Sequence, residues 1–278
     1  MALFLSVTLF GQLELPKKSP KASVSYTVGL TKVTVNYSSP AVRERTIWGD
    51  LVPYDQVWRA GANEATTVEF STDVKIKKQV LSKGKYAMFL IPKAEGKWTV
   101  VFNKVADQWG AYSYDEKQDA LRAEVQVKDS KSSDDRLTYG VTDLDNGKGY
   151  IRFSWGKKRV YILFRSNIPA IVAQNITAAS ETAEDDKKWL VHAQAADYYL
   201  DNEQTDLAVS QIKASVSLSR HSRNSWIEAK INAATEDYKK AIESAKLALD
   251  LGQKADSRFY KNYKDAIAEK ITEWEAKP

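Results

Sequence analysis

The sequence predicts two domains of different class, an antiparallel β-sandwich-like N-terminal domain followed by an α-helical domain built from tetratricopeptide-like hairpins. Three observations carry this expectation. Apolar and polar residues alternate with period two from about residue 23 to 165, Pro169 marks a change to helical spacing, and a weak repeat of 33 residues runs through the helical part. The expected boundaries are 1–19 for a signal-like segment, 20–168 for the sandwich and 169–278 for the helices.

Met1 to Gln12 read MALFLSVTLFGQ, an apolar run too short to span a bilayer and followed by a Pro- and Lys-rich stretch. It resembles the apolar part of a secretory signal, with an N-terminal strand as the alternative. No other stretch is long and apolar enough for a membrane helix, so no integral membrane segment is expected.

In the β region, Val33, Val35 and Tyr37 alternate with Lys32, Thr34 and Asn36. Val68, Phe70, Thr72, Val74 and Ile76 alternate with charged and hydroxyl residues, which reads as one long strand, and Leu121, Ala123, Val125 and Val127 repeat the pattern. Each such strand has one dry and one wet face, as antiparallel sheets do. Tyr86 to Ile91 is apolar on nearly both faces and suits a central strand, followed by Trp98, Val100 and Phe102 on one side of the next. Tyr150 to Trp155 and Arg159 to Arg165 flank Gly156-Lys157-Lys158 and read as a hairpin.

Beyond Pro169 the chain is rich in Ala, Lys, Glu, Gln and Leu. Glu236 and Lys240 are spaced for one helix face, and Gly252 is expected to end a helix. Tyr238-Lys239-Lys240-Ala241-Ile242, with Ala245, Ala248, Leu249 and Leu251, matches half of a tetratricopeptide repeat. Ala208, Ile212, Ser215, Val216 and Leu218 stand one period earlier, after Ala196 and Tyr199. Small residues at these places let antiparallel helices approach closely. Two readings stay open for these helices, a concave surface for a protein partner and a cap on the sheet domain.

Composition narrows the chemistry. A net charge of +5 with lysines and acids interspersed gives a mixed solvated surface and no nucleic-acid footprint. The sequence has no cysteine, which excludes thiol catalysis and disulfides. Its two histidines, His192 and His221, have no metal-ligand spacing around them, so neither a metal nor a cofactor is expected.

Residues 38 to 65 break both periods, and a non-periodic run that long inside a domain is usually functional or disordered. Disorder would leave Ile47, Trp48, Leu51, Val52, Tyr54, Val57 and Trp58 exposed, so something buries or binds them. Arg45-Thr46-Ile47-Trp48-Gly49-Asp50-Leu51-Val52-Pro53-Tyr54 and Val57-Trp58-Arg59-Ala60-Gly61-Ala62-Asn63-Glu64-Ala65-Thr66 are similar to the hallmark of domain-of-unknown-function family 2911. So are Gly84 to Phe89, Phe102-Asn103-Lys104 and Gln108-Trp109-Gly110-Ala111-Tyr112. The resemblance spans about residues 20 to 165. It implies a β-rich, exported protein of the Bacteroidetes type, in the periplasm or cell envelope, and implies no activity.

Aromatic faces beside polar groups are what a pocket for a small polar ligand needs, a sugar or a peptide. The candidate ligand-binding residues are Arg45, Trp48, Tyr54, Trp58, Arg59, Asn63 and Glu64, with Trp109 and Tyr112 from a second aromatic cluster that also holds Tyr114. The alternative is that the indoles are core and the polar groups pin the loop. The leading expectation is a non-enzymatic binding protein with a protein partner at the helices. A glycosidase-like hydrolase using Asp50, Asp55 or Glu64, or a purely structural role, are the competing readings.

Overall fold

The computed structural model describes residues 15–278, and the apolar segment Met1 to Gln12 lies outside them. By its internal contacts the chain divides into two units, meeting at Ile171 and Val172.

Among the described residues the first unit holds nine antiparallel strands: β1 (Lys21–Val28), β2 (Thr31–Ser38), β3 (Thr67–Phe70), β4 (Val74–Ile76), β5 (Gln79–Leu81), β6 (Gly84–Ile91), β7 (Trp98–Asn103), β8 (Asp119–Asp145) and β9 (Lys148–Ser166). They are ordered β1-β2-β3-β6-β7-β8-β9-β4-β5. The sheet folds over because β8 changes partner along its length. Leu121 to Val125 pair with β7, while Gln126 to Asp145 pair with β9. A strand that leaves one layer and enters another is the corner of a sandwich. Residues from strands that are not neighbours in the sheet therefore meet inside it, as Phe70 of β3 meets Phe164 of β9 with ring centroids 5.5 Å apart. β6 is central, as its two-sided apolar pattern predicts: Met88 and Leu90 face the main core, while Ala87 and Phe89 face a smaller outer cluster with Ala65 and Val101.

Two expectations about strands are corrected. The single alternating run from Val68 to Ile76 is two strands, because Ser71 to Asp73 bend and send β4 to pair with β9 while β3 stays between β2 and β6. Period-two patterning survives such a corner, since both halves still face one core. The hairpin around Gly156-Lys157-Lys158 is one continuous strand, β9. Gly156 takes φ +56, and the register with β8 shifts there, so the glycine makes a bulge instead of a reversal. The reversal lies at Asn146-Gly147, with φ of 41 and 76, the left-handed pair a two-residue hairpin requires.

The non-periodic segment between β2 and β3 is spent largely on the sandwich. Ile47, Val52, Trp58 and Ala60 enter the main core. Trp58 pairs with Leu90 of β6 through two backbone bonds of 2.8 and 2.9 Å, and Ala41 bridges to Arg136 of β8. The Ala60 carbonyl, in a residue at φ +54, accepts from Tyr139 Oη at 2.8 Å and Thr66 Oγ1 at 3.0 Å. Two donors on one carbonyl hold a backbone that alanine alone would not prefer.

The helices are α1 (Ile168–Thr182), α2 (Lys188–Asp201), α3 (Thr205–Leu218), α4 (Ser222–Ala234), α5 (Tyr238–Lys254) and α6 (Arg258–Glu275). Ala193, Ala195, Ala196, Tyr199, Ala208 and Ile212 form one helical core, and Ala229, Ala241, Ala245 and Ala248 line a second with Trp226 and Trp274. Small side chains at these interfaces are the repeat pattern read from the sequence. Gly252 does not end a helix. It is buried within α5, where a Cβ would fall 2.6 Å from Tyr260 Cβ and 2.7 Å from Ser222 Oγ, so close approach explains the glycine. Glu236 stands outside α5 at φ +61, and Lys240 pairs instead with Asp237, the N-cap. His221 precedes α4 and stacks on Trp189 at 3.9 Å, and His192 hydrogen-bonds Gln211 at 2.8 Å, so both rings have local structural partners. No helix among the described residues is long and apolar enough to cross a membrane.

Candidate functional site

The sequence nominates nine residues for a ligand site, and their surroundings sort them into three groups. The first belongs to the interior. Trp58 is 9% exposed, stacks on Trp155 with centroids 5.8 Å apart and 15° between planes, and meets Phe153 edge-on at 5.8 Å. Trp48, partly buried, packs against Trp98 at 4.6 Å and Trp58 at 5.6 Å. The two indoles thus complete an aromatic cluster beneath the segment that carries them.

A second group holds the segment in shape. Arg45 turns back on its own loop, donating from Nη2 to the Ala41 carbonyl at 2.7 Å and from Nε to the Val42 carbonyl at 3.1 Å. Tyr54 covers Gly49, where a Cβ would lie 2.7 Å from the ring and φ is +87. Asn63 donates to the Ser19 carbonyl and to Ser38 Oγ, both at 3.2 Å, fastening the N-terminal approach to β1 against the end of β2.

The third group reaches solvent. Glu64 and Trp109 are joined by a short antiparallel bridge and line an open cleft of about 670 Å³, bordered by Lys21, Ala22 and Ser23 of β1 and Asn36, Tyr37 and Ser38 of β2. Ala65, Thr67, Lys85, Ala106, Asp107 and Gln108 complete its wall. Trp109 is 60% exposed, so its indole face is available to a ligand. Arg59 and Tyr112 do not line the cleft, and both approach Gly110.

The cleft is electrostatically balanced. Lys21 pairs with Glu64 at 2.9 Å and Lys85 with Asp107 at 3.0 Å, two cations against two anions. The Lys21 ammonium, by its hydrogen bond, holds the Glu64 carboxyl below the usual glutamate range. Glu64 is therefore ionised at neutral pH, which suits an acceptor of hydrogen bonds and disfavours a general acid. Asp50 and Asp55 sit in exposed turns away from the lining of this cleft. Among the described residues no group of three or more His, Asp or Glu is placed to hold a metal ion.

What keeps the Trp109 wall in place is a polar cluster that sequence reasoning missed. Asn103 at the end of β7 is fully buried. Its Nδ2 donates to the Asp115 carbonyl at 2.9 Å and to Asp119 Oδ1 at 2.8 Å, while its Oδ1 accepts from Val105 N at 3.0 Å. Tyr114 Oη donates to Asp119 Oδ2 at 2.7 Å, and Arg122 donates to both of these groups. Burial, reinforced by the Asp119 acceptor, pushes the Tyr114 phenol up to about 12, so it stays a neutral donor. These residues brace both ends of the loop 104–118. The signals in the sequence are the family-like run Phe102-Asn103-Lys104 and the place of Asn103 after the apolar Val100 to Phe102, where a buried amide demands partners.

No curated protein and no solved structure matches the chain. Residues 19–164, more than half of the chain and all of the sheet except the last two residues of β9, match the family described as Protein of unknown function (DUF2911), and the chain belongs to that family.

Proposed function

We propose that the sandwich is a binding module that holds a small polar ligand in the cleft between β1, β2 and the Glu64–Trp109 bridge. The observation that carries this reading is the exposed Trp109 indole beside a wall of hydroxyl, amide and mutually neutralised charged groups. A sugar fits better than a charged peptide: its ring stacks on a flat aromatic face, its hydroxyls find Ser23, Asn36, Ser38 and Thr67, and the cleft carries no surplus charge for an ion to answer. Paired carboxylates already committed to lysines lend the hydrolase reading little support. In the same proposal the protein acts in the cell envelope, and the helical unit takes a protein partner, a role that paired helices at a 33-residue repeat suit.

The test is calorimetric titration of the full chain with a panel of mono- and oligosaccharides, beside short uncharged peptides, with Trp109→Ala as the control. The proposal expects saturable sugar binding weakened at least about tenfold in the variant, the equivalent of about 1.4 kcal/mol. Absence of binding by every sugar, or binding indifferent to Trp109→Ala, overturns it.

A further inference from the structure

Among the described residues, Arg59 is a loop cation that forms no ion pair and whose Nε has no hydrogen-bond partner. The antiparallel bridge between Trp58 and Leu90 places Arg59 across from Phe89, and because Trp58 enters the main core, Arg59 takes the opposite face. Phe89 belongs to the outer apolar cluster with Ala65, Ala87 and Val101, packed by Val57, Ala111 and Tyr114. The guanidinium is thus half-buried beside an apolar surface. Its Nε has no exposed area and no hydrogen-bond partner. Among the described residues no carboxylate pairs with it, although sixteen lysine or arginine pairs with acids are formed elsewhere. Burial accordingly lowers its pKa, outweighing the opposing influence of Tyr112.

An arginine has five N–H donors and no acceptor, and a buried charge is ordinarily matched. The described residues supply no such group to Arg59, and the surroundings leave a ligand a way in. Nη1 lies 3.8 Å from the position a Cβ would take on Gly110, and the Tyr112 ring lies 2.9 Å from the same point. Tyr112 is 86% exposed, so this corner opens to solvent. Gly110 has φ +66 and no side chain, which lets both groups crowd one backbone position.

We infer that Arg59 anchors an oxyanion-binding site at the Gly110–Tyr112 corner, where its guanidinium takes a carboxylate or phosphate group in a forked pair of hydrogen bonds while Tyr112 flanks the ligand. Such pairs are about twice as strong as neutral hydrogen bonds, and their two-point geometry suits the paired oxygens of carboxylate and phosphate, which chloride lacks. The site is separate from the cleft, since neither Arg59 nor Tyr112 lines it, so either can fail while the other stands.

The experiment follows the arginine Nε–Hε resonances of the full-length protein by NMR during titration with sodium phosphate and, separately, sodium acetate, each against sodium chloride at equal ionic strength. The expected result is a saturable shift of the Arg59 resonance and of the Gly110 and Tyr112 amides at millimolar anion, absent in chloride. Tighter binding of acetate assigns a carboxylate ligand, and tighter binding of phosphate assigns a phosphorylated one. Arg59→Lys keeps the charge and loses the fork, so the amide shifts should need about tenfold more anion, and Arg59→Gln should abolish them. Shifts that never saturate, that chloride reproduces, or that survive in Arg59→Gln overturn the proposal. Should Arg59→Gln fail to fold, the wild-type titration and Arg59→Lys decide the matter alone.

Discussion

Replacing Trp58 by alanine separates an indole that builds the fold from one that meets a ligand. Trp58 is 9% exposed and makes three aromatic contacts, on Trp155, Trp48 and Phe153, at centroid separations between 5.6 and 5.8 Å. Truncating a buried tryptophan costs about 3–5 kcal/mol, the lost transfer energy plus the cavity left behind. Little collapse is available here, because the backbone of residue 58 is fixed to Leu90 by two hydrogen bonds. Set against a domain stability of about 5–15 kcal/mol, a loss near 4 kcal/mol is a large fraction. For a domain of this size it lowers Tm by roughly 10 °C. The matching change at Trp109, 60% exposed, should alter stability by no more than about 0.5 kcal/mol. Urea unfolding followed by far-UV circular dichroism measures both. If Trp58→Ala proves as stable as the wild type, the indole is not part of the core and the division between buried and accessible tryptophans is wrong.

The remaining predictions concern the walls of the cleft. Asn103→Ala removes three hydrogen bonds from a fully buried position and leaves the Asp119 carboxylate short of a donor, so it should cost about 2–3 kcal/mol and raise amide exchange across residues 104–118; unchanged exchange in that loop would refute its bracing role. The Lys21–Glu64 pair lowers the folded pKa of Glu64, so its stabilisation is complete above the ordinary glutamate range and fades as pH falls through the lowered value. Because the pair is well exposed, Glu64→Gln should change stability by less than about 1 kcal/mol at pH 7, and carbon-detected NMR should find Glu64 titrating below the ordinary glutamate range. A titration at or above the ordinary range would mean the pair does not persist in solution.

Fold class was legible because both kinds of periodicity report burial directly. β6 shows it best: the two-sided apolar run Tyr86 to Ile91 implies a strand with cores on both faces, and the main and outer clusters are those cores. Corners were harder to read. Alternation carries no mark of which strand is the neighbour, so the break at Ser71 to Asp73 left the pattern intact, and a bulge glycine at 156 looked like a turn glycine. The true turn, Asn146-Gly147, carries the stronger turn chemistry. In the candidate site, composition identified the right segment without sorting its members. Trp48, Trp58 and Trp109 are the same residue type, and only the bridge between Trp58 and Leu90 against that between Glu64 and Trp109 decides which indole faces inward. Lys21, Lys85 and Asp107 escaped notice because they join the cleft from elements distant in sequence.

Selective oxidation of tryptophan with limiting N-bromosuccinimide, mapped residue by residue by mass spectrometry, tests the central claim most directly. The account predicts that Trp109 reacts first within the sandwich, that Trp58, Trp98 and Trp155 resist until the protein unfolds, and that a saccharide bound in the cleft protects Trp109. Early oxidation of Trp58 in folded protein, or a Trp109 that is already shielded without ligand, would contradict it.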